Sequence, residues 1–278
     1  MVPDRFSQIE PNGVEGFISP FITLAMDRPA GHLSAAVQST SLLQFGYLGT
    51  TGPHLEHHFA QRLAELFQSQ LTYLPADLKD LSPQFTKNTD LLIYEEPAQS
   101  WLRTWFCGPP ACRMVSRWST SIMVARQPRW PLRKVLLITR GLPQDYMATS
   151  WAAQLAPRAE AKVTVLAVQP SLSTANSQAL YGEGLSTWLR SDTALGQQLR
   201  CLVNALNPAT GCPGLQFRGG SSGRQIREAV SETEPDLLVI ASDPVEWWEQ
   251  RIWGDLVAPL LRWADRPVLV AKSSCSLR

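Results

Sequence analysis

Four short apolar runs in the second half of the chain limit the architectures open to it: RKVLLIT (133–139), AKVTVLAV (161–168), DLLVIA (236–241) and PVLVA (267–271). A strand half open to water alternates apolar with polar residues. These runs are apolar almost throughout, as strands covered on both faces must be. LQFR (215–218) is a fifth, weaker strand before the turn GGSSG. Helical patterns separate the runs. Met147, Trp151 and Leu155 recur at i, i+4, i+8. Leu185, Leu189, Leu199, Leu202 and Leu206 mark a helix over about 184–206, with a break near Gly196. Ile226, Ala229 and Val230 mark another, and a last one spans about 256–263. Strands alternating with helices predict a parallel sheet with helices on both sides.

The first half repeats the end of this pattern. At a shift of 146 positions DLLIY (90–94) falls on DLLVI (236–240), Trp101 on Trp247, Gly108 on Gly254, and IMVAR (122–126) on VLVAK (268–272). The same shift places SQLTY (69–73) on LQFRG (215–219). Carried further upstream it would put the partner of Arg133 before Met1, so the first copy is shortened, with its early elements in about 16–51. The reading is α/β, with two doubly wound, Rossmann-like domains of five parallel strands, at 17–126 and 133–272. The first is divergent, and 127–132 links them.

The second half resembles the universal stress protein family. The resemblance rests on the opening strand KVLLITRG, the next strand AKVTVLAVQP, the stretch GSSGRQIREAVSETEPDLLVIAS, and the ending GDLVAPLLRWADRPVLVAK. It covers 133–272 well and 69–126 more faintly. It implies a five-stranded parallel sheet with a switch point between first and fourth strands, where some members bind ATP. It also implies a closing edge strand through which members often dimerise, so the two closing strands, 122–126 and 268–272, are expected to pair with each other and cover two sheet edges within one chain. Those members carry an acid after the first strand and G-x2-G-x9-G-[S/T] after the fourth. The glycines let backbone N–H groups approach phosphates, and the last pair opens a helix whose N-terminus favours anions. On this chain the acid falls on Arg140, the first two glycines on Ala241 and Pro244, and the last pair on Gly254 and Asp255. In the first half the motif positions are Glu95, Ala98, Gly108 and Pro109. Only the last glycine is kept in each, so the usual mode of ATP binding is expected to be lost.

Thr139, Arg140, Gly141, Ala241, Ser242, Asp243, Gly254 and Asp255 remain the candidate ligand-binding residues. Arg140 is expected in a surface salt bridge, with anion binding as the alternative. Asp255 is expected to cap a helix, and Ser221 or Ser222 the helix after GGSSG. Trp247, Trp248 and Trp101 are candidates for filling the cleft or contacting a partner. His54 and His58 stand one helical turn apart, within chelating reach, and are read as a solvated helix face, so no metal site is assigned. No nucleophile setting is present, and no catalytic residue is assigned.

Composition narrows the function classes. A net charge of +1 leaves no nucleic-acid footprint, and no apolar run reaches membrane-spanning length. The start, MVPDRFSQIEPNG, lacks the basic and apolar regions of a signal peptide, so a cytoplasmic location is expected. Five cysteines without a C-x-x-C pair read as reduced structural thiols. The expected function is a non-catalytic stress-response or regulatory protein acting through an unknown protein partner, with ATP and AMP disfavoured as cofactors. No nucleic acid or membrane takes part, and the chain is an internal pseudo-dimer, a monomer or a homodimer. The alternative is a nucleotide- or small-ligand-binding module using a divergent pocket at the switch point.

Overall fold

Nine strands form one sheet in the computed structural model. It describes residues 43–50, 52–74, 89–96, 110–169, 193–210, 213–242 and 256–272. In chain order the elements are β1 (Gln44–Leu48), α1 (Leu55–Leu66), β2 (Gln70–Leu74), β3 (Leu91–Glu95), α2 (Pro110–Arg117) and β4 (Ser121–Ala125). These are followed by β5 (Lys134–Thr139), α3 (Tyr146–Ala159), β6 (Lys162–Gln169), α4 (Ala194–Thr210) and β7 (Gly214–Gly219). The last are α5 (Ser222–Thr233), β8 (Leu237–Ala241), α6 (Val257–Trp263) and β9 (Val268–Ala271). The strand order is β2-β1-β3-β4-β9-β8-β5-β6-β7. Every neighbouring pair is parallel except β4 and β9, which run antiparallel.

Both faces of the sheet are covered, as the unbroken apolar runs require. On one face Phe45, Leu91, Met123, Val135, Leu137, Val239 and Leu269 pack under α1, α3 and α4. On the other, Leu92, Ile122, Leu136, Ile138, Ile240 and Val270 pack under α2, α5 and α6. Phe45, Phe67 and Trp151 form an aromatic junction beneath α1 and α3, with ring centroids 5.4 to 6.4 Å apart. α3 ends where Glu160 takes a left-handed conformation and the Ala161 N–H returns to the Ala156 carbonyl.

The 146-position repeat is visible in the ladder. Glu95 pairs with Ala125 as Ala241 pairs with Ala271, and Leu92 with Ile122 as Leu238 with Val268. The two closing strands meet symmetrically. Met123 faces its own counterpart Leu269, while Ile122 faces Val270 and Val124 faces Val268. Such a pairing is isologous, each strand giving and receiving the same contacts. Side chains extend the symmetry. Arg126 donates from Nη1 to the Leu261 and Ala264 carbonyls, at 2.6 and 2.9 Å, at the C-terminus of α6. Its counterpart Lys272 donates from Nζ to the Val115 and Trp118 carbonyls at the C-terminus of α2. A cation thus reaches across the seam to the carbonyl end of each opposite helix, where the dipole favours it. Ser121 Oγ accepts from the Trp151 indole and the Lys272 amide, both at 3.1 Å.

The repeat is not uniform, and three expectations change. β2 was expected to match β7, but it pairs with β1, the place β6 holds beside β5. Pairing with the first strand, set by the hydrophobic register, outweighs the sequence offset. No strand takes the third place in the first half among the described residues. The expected break near Gly196 is absent, since α4 runs through it, and the part of that pattern at 184–192 lies outside the described residues. α5 starts after Ser221 in the N-cap position, yet no side chain caps it; the Ser221 carbonyl accepts from the Arg224 and Gln225 amides instead.

Candidate functional site

Parallel α/β sheets bind ligands beyond the carboxyl ends of the strands, where the strand order reverses. This sheet has two such places: between β1 and β3, and between β5 and β8. The registers equate them, because Leu48 lies beside Tyr94 as Ile138 lies beside Ile240. Thr50 therefore follows β1 where Arg140 follows β5, and Glu95 ends β3 where Ala241 ends β8.

In the first crevice Glu95 points back over β1. Its Oε2 accepts from the Tyr47 hydroxyl at 2.6 Å and the Thr50 amide at 2.8 Å, and its Oε1 from the Thr50 hydroxyl at 3.1 Å. Gly49 makes room for it: a Cβ there would lie 2.4 Å from Glu95 Oε2 and 2.7 Å from the Tyr47 hydroxyl. Burial alone would raise the Glu95 pKa, but the bonds from Tyr47 and Thr50, aided by His54, outweigh it and hold the carboxyl below its ordinary value. Burial and the bond to Glu95 push the Tyr47 phenol far up in turn. Next in sequence, Glu96 Oε1 accepts from the Ala111 amide at 3.2 Å in the first turn of α2, and its Oε2 accepts from Arg126 Nε at 2.6 Å. Two carboxylates of the chain thus stand in the crevice and on the helix N-terminus beside it.

The second crevice is built around a buried aspartate. The chain leaves β5 through Gly141, at φ +74°, a conformation that suits glycine, with Leu195 packed directly over it. It then makes a 3₁₀ turn, Pro143–Asp145, into α3. Asp145 Oδ2 collects the Thr139 hydroxyl and Arg140 amide at 2.7 Å and the Leu142 amide at 3.1 Å. The Gly141 amide donates to Thr139 Oγ1 at 3.0 Å. Arg140 does not lie at the surface as expected: it is 7% exposed, because the Asp145 turn draws it inward. Its Nη2 lies 3.7 Å from Asp145 Oδ1, an ion-pair distance beyond hydrogen bonding. Arg140 Nε and Nη2, Asp145 Oδ1 and Gln144 Oε1 are buried without a hydrogen-bond partner among the described residues.

Of the candidates from sequence, Thr139, Arg140, Gly141, Ala241 and Ser242 come together here. Ala241 is fully buried at the end of β8, and the Ser242 amide donates to the Ala271 carbonyl at 2.8 Å. Asp243, Gly254, Asp255, Trp247, Trp248 and Trp101 lie outside the described residues, as do Ala98, Gly108, Pro109 and Pro244. The N-cap of α6 is Leu256. His54, the N-cap residue of α1, and His58, in its first turn, are both exposed. Sequence reasoning missed His57, whose ring nitrogens face the Gly52 carbonyl at 2.9 Å and the Tyr73 hydroxyl at 3.0 Å beside Tyr47. Tyr47, Thr50, Gln144 and Asp145 were missed as well. Asp145 alone left a signal, an acid six positions beyond the end of β5, just before α3. Among the described residues no three His, Cys, Asp or Glu side chains group to hold a metal, and no helix is long and apolar enough to cross a membrane.

Comparison with known proteins places this geometry. The family model described as the universal stress protein family matches residues 131–272. A universal stress protein from Archaeoglobus fulgidus DSM 4304 superposes with a TM-score of 0.54 at 10% identity, covering 83% of this chain and 86% of that one. A functionally unknown protein from Pseudomonas aeruginosa PAO1 reaches 0.54 at 17% identity, over 95% and 90%. A putative universal stress protein from Pseudomonas aeruginosa UCBPP-PA14 reaches 0.51 at 17%, over 95% and 91%. At these identities the structures speak for the fold, and no curated protein sequence matches the chain significantly. The opening strand, the buried turn after it and the closing β8–α6–β9 unit all fall inside the matched span, and the chain belongs to the universal stress protein family.

Proposed function

We propose that this chain is a non-catalytic member of its family, acting in stress response or regulation through protein contacts and without the usual ATP binding. The observation that carries the reading is the consecutive pair Glu95 and Glu96. One carboxylate takes the crevice and the other the helix N-terminus where a nucleotide would put its phosphates. A polyphosphate there would meet two like charges, each already satisfied by donors. In the second crevice Ala241 stands at the first motif glycine and Arg140 at the acid, a reversal of charge at that position. Calorimetric titration with Mg-ATP and AMP tests the reading. No saturable heat is expected, while micromolar binding of either nucleotide would overturn it.

A further inference from the structure

The sheet ends in β2 on one side and β7 on the other, and the two outer strands are not equally protected. Natural sheets blunt an outer strand with charge, proline or cover, because its unpaired N–H and C=O groups invite another strand. β7 has such devices. Its Arg218 is ion-paired to Glu228 and Glu232 of α5, glycines stand at both its ends, and all but its first residue are partly covered. β2 is bare by comparison. Its sequence QLTYL holds no charge and no proline, and Gln70, Thr72 and Tyr73 are exposed. Among the described residues no strand lies on its outer side, the place that β7 takes beside β6. Nor does any backbone hydrogen bond among them reach Gln70–Leu74 beyond the ladder with β1.

The strand itself says what fits this edge. Leu71 and Tyr73 lie in register with Phe45 and Tyr47, on the face under α1. Tyr73 is held in place there: its ring stands edge-on to Tyr47 at 6.0 Å, and its hydroxyl meets His57 Nε2 at 3.0 Å. Two copies of β2 turned antiparallel about Thr72 set Leu71 opposite Tyr73 twice on that face, and Thr72 opposite Thr72 on the other. Aliphatic–aromatic and Thr–Thr neighbours are favoured cross-strand pairs, and no like charges meet. The sheet already contains one join of this kind, where β4 and β9 meet antiparallel and symmetrically at Met123 and Leu269. We propose that a second copy of this chain docks on β2, antiparallel and centred on Thr72, so that the two sheets run on into one. The join is isologous and closes at the dimer, because β7 stays outside it. A strand of five residues buries little area, so the dimer is weak and depends on concentration. This goes beyond the functional reading above by naming one protein contact and the surface that makes it.

Sedimentation velocity on the full chain, from about 5 to 500 μM, tests the proposal. Wild type passes from monomer to dimer over that range. Thr72→Lys and Thr72→Glu, at an exposed position, each stay monomeric, because two like charges then face each other roughly 5 Å apart at the centre of the join. An equimolar mixture of the two variants restores the dimer, a rescue that only Thr72 meeting Thr72 produces. Hydrogen exchange on wild type needs no variant: the amides of 70–74 become more protected at the high concentration, and those of 214–219 do not. A monomer throughout the range overturns the proposal, as does a dimer that persists in either variant or fails to return in the mixture. Unchanged exchange at 70–74 in the dimer places the contact elsewhere and sinks it too. Assemblies larger than the dimer would mean that β2 meets β7 of the next copy, which contradicts the symmetric join. Binding of ATP would refute the functional reading and leave the dimer standing.

Discussion

Glu95 and Arg140 occupy corresponding crevices of one sheet, and the difference between them shows how one backbone opening can take two chemistries. The strands, their registers and the seam at Met123 and Leu269 are shared, so the backbone offers the same opening twice. The first half fills it from β3, with a glutamate that needs glycine at position 49 and tyrosine at 47. The second half works from the turn after β5, burying a guanidinium beside an aspartate that organises three donors. Burying a charge is tolerable only when it is paired and bonded, which Glu95 achieves fully and Arg140 only in part. The sheet thus constrains the place of the site while the few residues around its mouth set its chemistry.

The largest expected effect comes from the seam that holds the two crevices in one sheet. Leu269→Ala removes the partner of Met123 from a fully buried position and should cost about 2–5 kcal/mol in chemical denaturation. A loss well under that would mean each half stands without the seam. Arg126→Ala takes the cation off the α6 carbonyls and leaves Glu96 without its pair, at a cost of about 2–3 kcal/mol. Lys272→Ala should cost less, since the position that matches Glu96 at the 146-residue shift is Ser242, which has no charge to leave unpaired. Equal effects would show that Glu96 gains nothing from Arg126. Gly49→Ala forces the Glu95 carboxylate out of the first crevice and should cost about 1–2 kcal/mol. The same stability for Gly49→Ala and wild type would show that the crevice has room to spare.

The strands, their parallel order in the second half and the 146-position echo were legible because buried parallel strands write themselves as apolar runs. β8 and β9 repeated in β3 and β4 carried that echo even where Leu92 met Leu238 with little else alike. The place of β2 was not legible, since QLTYL matches either outer strand and only pairing with β1 decides. At the site, the positions of Arg140 and Ala241 could be read by carrying over the family motif, but the burial of Arg140 could not. That depends on Asp145, whose role comes from a three-residue turn that no periodicity announces. The part of Glu95 was hidden for a different reason. Its three donors come from Tyr47 and Thr50, more than forty positions away, and no local pattern links them. His57 stayed unseen because Tyr73 reaches it from a strand whose neighbour was misread.

The comparison rests on the first crevice being closed by an ionised carboxylate, and a direct titration of the Glu95 carboxyl by NMR tests that most directly. A folded-state value below the ordinary one means that Glu95 adds stability that is complete above its unfolded value and lost as pH falls through the lowered one. The account predicts that the wild-type carboxyl titrates below the usual glutamate range and moves upward in Tyr47→Phe. A value at or above that range, unchanged in Tyr47→Phe, would contradict it.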